Sequence, residues 1–207
     1  SAGVNGPHPY PAGLNDCISG LKYVFENKAS LGVSTVTVNG ESGGGNLALA
    51  TCLYAKKLDL LSHIDGVYVQ CPMISNLYRD VPEAKALPSL AECNGYVLDS
   101  ALMDIMACLY SAPVDGMHCT DPLAWPYHAT PEDLAGLPPH FISVNELDPV
   151  RDEGVAYFRK LQQAGVQAYC KTTMGMTHVG EMLAAVKPLP ALHRLAVHDI
   201  YQFAASR

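Results

Sequence analysis

Val33-Ser34-Thr35-Val36-Thr37-Val38-Asn39, then Gly40-Glu41-Ser42-Gly43-Gly44-Gly45-Asn46, then Leu47-Ala48-Leu49-Ala50 sets a β-branched run, a glycine cluster and a leucine–alanine run in immediate succession. The β-branched run predicts a strand, the glycines a sharp turn, and the leucines and alanines a helix reaching about Lys57. A serine at the apex of a G-x-S-x-G turn between strand and helix has its hydroxyl held clear of the surface, because small neighbours let a strained backbone through. Ser42 is therefore the first candidate nucleophile. Gly43-Gly44-Gly45-Asn46-Leu47-Ala48 also fits the dinucleotide pattern G-x-G-x-x-A, but that motif needs an acid closing the next strand to hold a ribose. The next apolar run, Gly66-Val67-Tyr68-Val69-Gln70-Cys71, closes on Gln70-Cys71-Pro72 instead. No Gly-Lys-Ser/Thr follows the glycines, so the phosphate-loop pattern fails as well.

A hydroxyl is a poor nucleophile near neutral pH without a base and an orienting acid. Phe141-Ile142-Ser143-Val144-Asn145 leads into Glu146-Leu147-Asp148-Pro149, which sets Asp148 at the C-terminal edge of an expected strand. Gln167-Ala168-Tyr169-Cys170-Lys171-Thr172-Thr173 opens into Met174-Gly175-Met176-Thr177-His178-Val179-Gly180, which sets His178 on a loop at the same edge. The order Ser, acid, His, each after a strand, is that of the α/β-hydrolase arrangement. Glu146, Asp152 and Glu153 are neighbouring acids; Glu146 falls within the strand, and the other two suit a helix's first turn. His8, His63, His193 and His198 lie away from this edge, and His118-Cys119 and His128 lack metal-ligand spacing, so no metal site is expected. Glu41 reads as a structural acid beside the turn.

Several further segments carry a resemblance: His8-Pro9-Tyr10-Pro11-Ala12-Gly13-Leu14-Asn15-Asp16-Cys17, the serine turn, Asp121-Pro122-Leu123-Ala124-Trp125-Pro126-Tyr127, Gly136-Leu137-Pro138-Pro139, and Asn145-Glu146-Leu147-Asp148-Pro149-Val150-Arg151-Asp152-Glu153-Gly154. In this order they resemble the hormone-sensitive-lipase-like bacterial esterases of the α/β-hydrolase superfamily. The resemblance implies an esterase with Ser42, Asp148 and His178 as its triad, the backbone N–H of Gly43 as one oxyanion donor, a small-molecule ester as substrate, and no metal or organic cofactor. Such a family also carries a His-Gly-Gly-Gly-type loop whose N–H groups complete the oxyanion hole, and no segment of this sequence resembles it. Ser1-Ala2-Gly3-Val4-Asn5-Gly6 contains glycine but follows no strand.

Strands are expected at about 33–39, 66–71, 140–147 and 168–174, and helices at about Pro11–Glu26, Ser100–Tyr110, Asp152–Ala164 and Leu189–Ala205. The expected fold is α/β, a mostly parallel sheet flanked by helices, forming the C-terminal part of an α/β-hydrolase domain over 1–207. The segment 73–139 interrupts the alternation of strands and helices and is expected to line the active site rather than stand as a domain. The chain starts without Met and opens almost directly on its first helix. A separate or cleaved N-terminal segment completing the fold is therefore expected.

With 207 residues and 49% apolar content, the chain can bury a substantial core. A formal charge of −7, without a Lys/Arg run, excludes a phosphate-binding footprint for nucleic acid. No apolar stretch reaches the roughly 20 residues of a membrane span. Seven cysteines, an odd number with no C-x-x-C pair, read as reduced thiols and point to the cytoplasm. Tyr78, Leu90, Tyr96 and Met106 are pocket candidates, Met106 sharing a helical stripe with Leu102, Met103, Leu109 and Tyr110. Trp125 and Tyr127 read as loop anchors. Besides ester hydrolysis, two alternatives fit the same fold: an amidase or peptidase, and a non-catalytic ligand-binding protein.

Overall fold

The computed structural model describes residues 2–3, 6–79, 81–111, 119–183 and 190–207; Ser1, Val4, Asn5, His118 and Leu189, named above, lie outside them. In chain order the elements are β1 (Ala2–Gly3), β2 (Gly6–Pro7), α1 (Ala12–Glu26), α2 (Lys28–Leu31), β3 (Thr37–Glu41), α3 (Gly43–Lys57), β4 (Gly66–Gln70), α4 (Ser89–Glu92), α5 (Ser100–Tyr110), α6 (Pro131–Leu134), β5 (His140–Leu147), α7 (Arg151–Gln163), β6 (Ala168–Thr177), α8 (Gly180–Leu183) and α9 (Pro190–Ala205). Among the described residues the main sheet runs β3-β4-β5-β6, and every neighbouring pair is parallel. All five residues of β4 are buried, as an inner strand covered on both faces requires.

The first strand departs from the sequence reading. It spans Thr37–Glu41 rather than 33–39, because its ladder starts where Thr37 meets Gly66 and residues upstream have no strand to pair with. Val36 instead gives its N–H to Asp65 Oδ2 at 2.7 Å and accepts the Asp65 N–H at 2.8 Å. β6 is longer than read: it continues to Thr177, past a register shift between Asn145 and Leu147, so that His178 directly follows the strand.

One core lies between the sheet and its helices and contains Leu49, Leu53, Val67, Val69, Ile142, Val144, Tyr157 and Leu161. A second forms where the segment between β4 and β5 folds back above the strand ends, around Met73, Leu77, Tyr78, Met103, Trp125 and Val150. Helix α5 enters this second core with Met103 and Ala107. Its expected stripe is divided by that packing, since Leu109 is 71% exposed and Leu102 is also exposed. No helix among the described residues is long and apolar enough to cross a membrane.

Candidate active site

Ser42 closes β3 and caps α3 with φ 53° and ψ −121°, a conformation that costs a non-glycine residue about 1–3 kcal/mol. The surroundings hold it there. Its N–H donates to Gln70 O at 2.9 Å, and its carbonyl accepts the N–H groups of Asn46 at 3.1 Å and Met73 at 3.2 Å. A Cβ on Gly40 would run into the carbonyl oxygen of Gly44, whereas one on Gly43 or Gly44 would meet nothing within 4 Å. Gly45 is pressed to Pro72, whose Cα would lie 3.1 Å from an added Cβ. Of the motif's two flanking glycines, then, the first is the one the turn cannot do without.

The ends of β5 and β6 bring the other two groups to the serine. Ser42 Oγ lies 2.9 Å from His178 Nε2, and His178 Nδ1 lies 2.9 Å from Asp148 Oδ2. With the ring proton on Nδ1, the hydroxyl donates to the imidazole and the imidazole to the carboxylate. Asp148 is fully buried and His178 is 3% exposed, so water competes little for either bond. Asp148 Oδ1 accepts the Val150 N–H at 3.0 Å. The loop carrying His178 is tied down by Asn145 Nδ2, which donates to Thr177 O at 2.7 Å and Glu181 Oε2 at 2.6 Å. Gly43 opens α3 directly after Ser42, where the first N–H groups of a helix have no intrahelical acceptor.

The neighbouring acids are committed elsewhere. Glu146 Oε2 accepts the Gly175 N–H at 2.6 Å. Asp152 accepts the Ser89 N–H at 2.7 Å and pairs with Arg151 at 2.8 Å. Glu153 Oε1 accepts the Ile74 N–H at 2.6 Å and the Tyr78 hydroxyl at 3.1 Å, and burial pushes its carboxyl up to about 8. Glu41 is exposed. The other histidines are also placed apart: His63 stacks on Phe25, His193 faces Glu181 O at 3.3 Å, and His128 meets Ser75 O at 2.8 Å.

A cavity of about 310 Å³, mostly apolar, opens beside Ser42 and is walled by Gly43, Met73, Met106, Tyr110 and Trp125. Of the four pocket residues read from sequence, Met106 lies here. Tyr78 and Leu90 line a second cavity, because Glu153 draws the Tyr78 hydroxyl into the core. Tyr96 is 51% exposed and lines neither. Met73, Tyr110 and Trp125 were missed as wall residues. Trp125 is an anchor and a wall at once, its Nε1–H donating to Ser111 Oγ at 2.7 Å. The run Asp121–Tyr127 was the signal that could have located it.

Four parallel strands, a serine turn and an acid–imidazole pair at one edge define a hydrolase scaffold. A model described as "alpha/beta hydrolase fold" matches residues 6–182, and the chain belongs to that family. Carboxylesterase NlhH of Mycobacterium tuberculosis is 34% identical over 191 residues, which is 89% of this chain and 56% of that protein. An arylesterase of Saccharolobus solfataricus is 30% identical over 176 residues, covering 83% and 53%. Among solved structures, brefeldin A esterase, described as a bacterial homologue of human hormone sensitive lipase, superposes with a TM-score of 0.92 at 44% identity, over 99% of this chain and 56% of that one. Esterase Est22 follows with a TM-score of 0.83 at 41% identity, over 96% and 57%. The chain thus spans about half the length of the relatives it matches.

Proposed function

We propose that this chain carries the acyl-transfer centre of a carboxylic ester hydrolase. Ser42 is the nucleophile, His178 the general base and then acid, Asp148 the orienting carboxylate, and Gly43 N–H an oxyanion donor. The observation that carries this reading is the unbroken hydrogen-bonded series from Ser42 Oγ through His178 to Asp148, two links of 2.9 Å.

Ser42 attacks the ester carbonyl while His178 Nε2 takes its proton, and Asp148 holds the tautomer and stabilises the imidazolium. The developing oxyanion faces the N-terminus of α3, where the Gly43 N–H and the helix dipole favour negative charge. His178 returns the proton to the leaving alcohol, forming the acyl-enzyme. A water deprotonated by the same ring then releases the acid. This chemistry calls for no metal or organic cofactor. The cavity of about 310 Å³ supports small to medium acyl esters or lactones, since it lies at the lower end of the roughly 300–1,000 Å³ of ligand pockets.

We place residues 1–207 in one catalytic domain, with 73–139 as the active-site wall, and assign the remaining oxyanion donors to a further N-terminal segment. The open edge of β3 supports that assignment: an apolar cavity of about 380 Å³, lined by Leu21, Val36, Val38 and Leu47, runs along it between α1 and α3. Seven free thiols support a reducing, cytoplasmic setting. The test is labelling of the full chain with a fluorophosphonate probe, alongside hydrolysis of p-nitrophenyl esters and the matching anilides. Ser42→Ala abolishes both labelling and turnover on this reading. A folded protein that takes no label supports the ligand-binding alternative, and anilide turnover matching that of the esters supports an amidase.

A further inference from the structure

A third side chain reaches the acid and the base. Cys71 directly follows β4 and is 2% exposed; its Sγ, an Asp148 carboxylate oxygen and a His178 ring nitrogen all lie within 4.8 Å of one another. The thiol interacts with the Asp148 side chain and with the backbone N–H of Val179, the residue after the imidazole. Burial and the charge of Asp148 push the thiol well above its ordinary range, so it stays S–H. It therefore has one proton to give and lone pairs to receive. A thiophilic cation could use these three donors only after that proton left, which the same surroundings oppose.

The backbone marks the same place. Ser42, Cys71 and Val179 have φ of 53°, 44° and 46°, in a region that non-glycine residues rarely enter and where a β-branched residue is an outlier. Three strand ends are each bent sharply at the site, and Cys71 follows the strand that lies between those leading to Ser42 and Asp148. Its own N–H donates to Ser143 O at 2.8 Å on β5, so the side chain is aimed from a fixed point.

We propose that Cys71 is a positioning residue of the triad: its S–H donates to the Asp148 carboxylate while its sulfur accepts the Val179 N–H, joining the acid-bearing and base-bearing loops. The proposal rests on the ester-hydrolase reading above. A donor on Asp148 withdraws charge from the carboxylate and so loosens its hold on the imidazolium that forms during turnover. Facing this cluster are Glu153 on α7, Glu181 on α8, and Cys93 after α4, all of which feel or exert its charge. None of the three changes in the variants below.

Removing the thiol proton raises the His178 midpoint, and the stronger hydroxyl donor of serine lowers it, each by about half a pH unit. The experiment follows the downfield Nδ1 proton of His178 by NMR across pH in wild type, Cys71→Ala and Cys71→Ser, with the acidic limb of kcat/KM beside it. Expected are opposite shifts of the two midpoints, an unchanged KM, and a kcat that falls several-fold in Cys71→Ala and is largely kept in Cys71→Ser. Midpoints of both variants coinciding with wild type overturn the proposal, since a purely space-filling cysteine alters stability alone. If Cys71→Ala does not fold, Cys71→Ser decides by itself: a lowered midpoint supports the relay and an unmoved one removes it. Ser42→Ala separates the two claims, because turnover that survives it refutes the hydrolase reading while the imidazole titration still reports on Cys71.

Discussion

Gly40→Ala puts the reasoning about the serine turn at risk. The added Cβ would lie 2.8 Å from Gly45 N and closer still to the Gly44 carbonyl, where ordinary contact begins at 3.4 Å. The start of α3 must therefore retreat by at least 3.4 − 2.8, about 0.6 Å. All these atoms are backbone, so no rotamer absorbs the change. Overpacking of this kind costs roughly 1–3 kcal/mol. The shift falls on Ser42, whose Oγ lies 2.9 Å from His178 Nε2, and misplacement of reacting groups by about 1 Å costs on the order of 10²-fold in rate. Gly44→Ala is the matched control: its Cβ meets nothing within 4 Å, and a helical Gly→Ala stabilises by about 0.4–1 kcal/mol. Urea unfolding and kcat/KM on p-nitrophenyl butyrate read both variants. Gly40→Ala with wild-type stability and turnover, or Gly44→Ala as damaged as Gly40→Ala, would refute the claim that the first glycine alone is sterically required.

Asp148→Asn keeps the shape but favours the wrong imidazole tautomer, so kcat is expected to fall about 10⁴-fold with KM little changed; steady-state kinetics check it. Trp125→Phe loses the bond to Ser111 Oγ and widens the cavity beside Ser42, so about 1–2 kcal/mol of stability goes and KM for short acyl esters rises several-fold; thermal unfolding that matches wild type would count against it. Burial raises the folded Glu153 carboxyl from 4.5 to about 8, so between those values the folded state holds a proton the unfolded chain has shed. The stability this proton confers is complete below pH 4.5 and fades as pH rises to about 8. From pH 5 to 8 the loss is up to roughly 4 kcal/mol relative to Glu153→Gln, which cannot titrate. Urea unfolding curves for the two proteins that stay parallel from pH 5 to 8 would contradict it.

What could be read in the sequence divides according to how local the cause is. Ser42, Asp148 and His178 were legible because each sits where a short run of β-branched or apolar residues stops, and parallel strands bring their C-terminal ends to one edge whatever the sheet's full extent. The first strand's start was not legible. Ser34, Thr35 and Val36 have the composition of a strand, but a strand exists only where a neighbour offers a ladder, and Gly66 sets that limit from 29 residues beyond Thr37. The cavity wall failed for the same reason. Tyr78 and Leu90 look like pocket residues until Glu153, far along the chain, takes the Tyr78 hydroxyl; Met73 looks unremarkable until its N–H meets the Ser42 carbonyl. Cys71 is the sharpest case, since by composition it is one more buried thiol closing an apolar strand. Its meaning comes from Asp148 and Val179, 77 and 108 positions away, and only the fold supplies them.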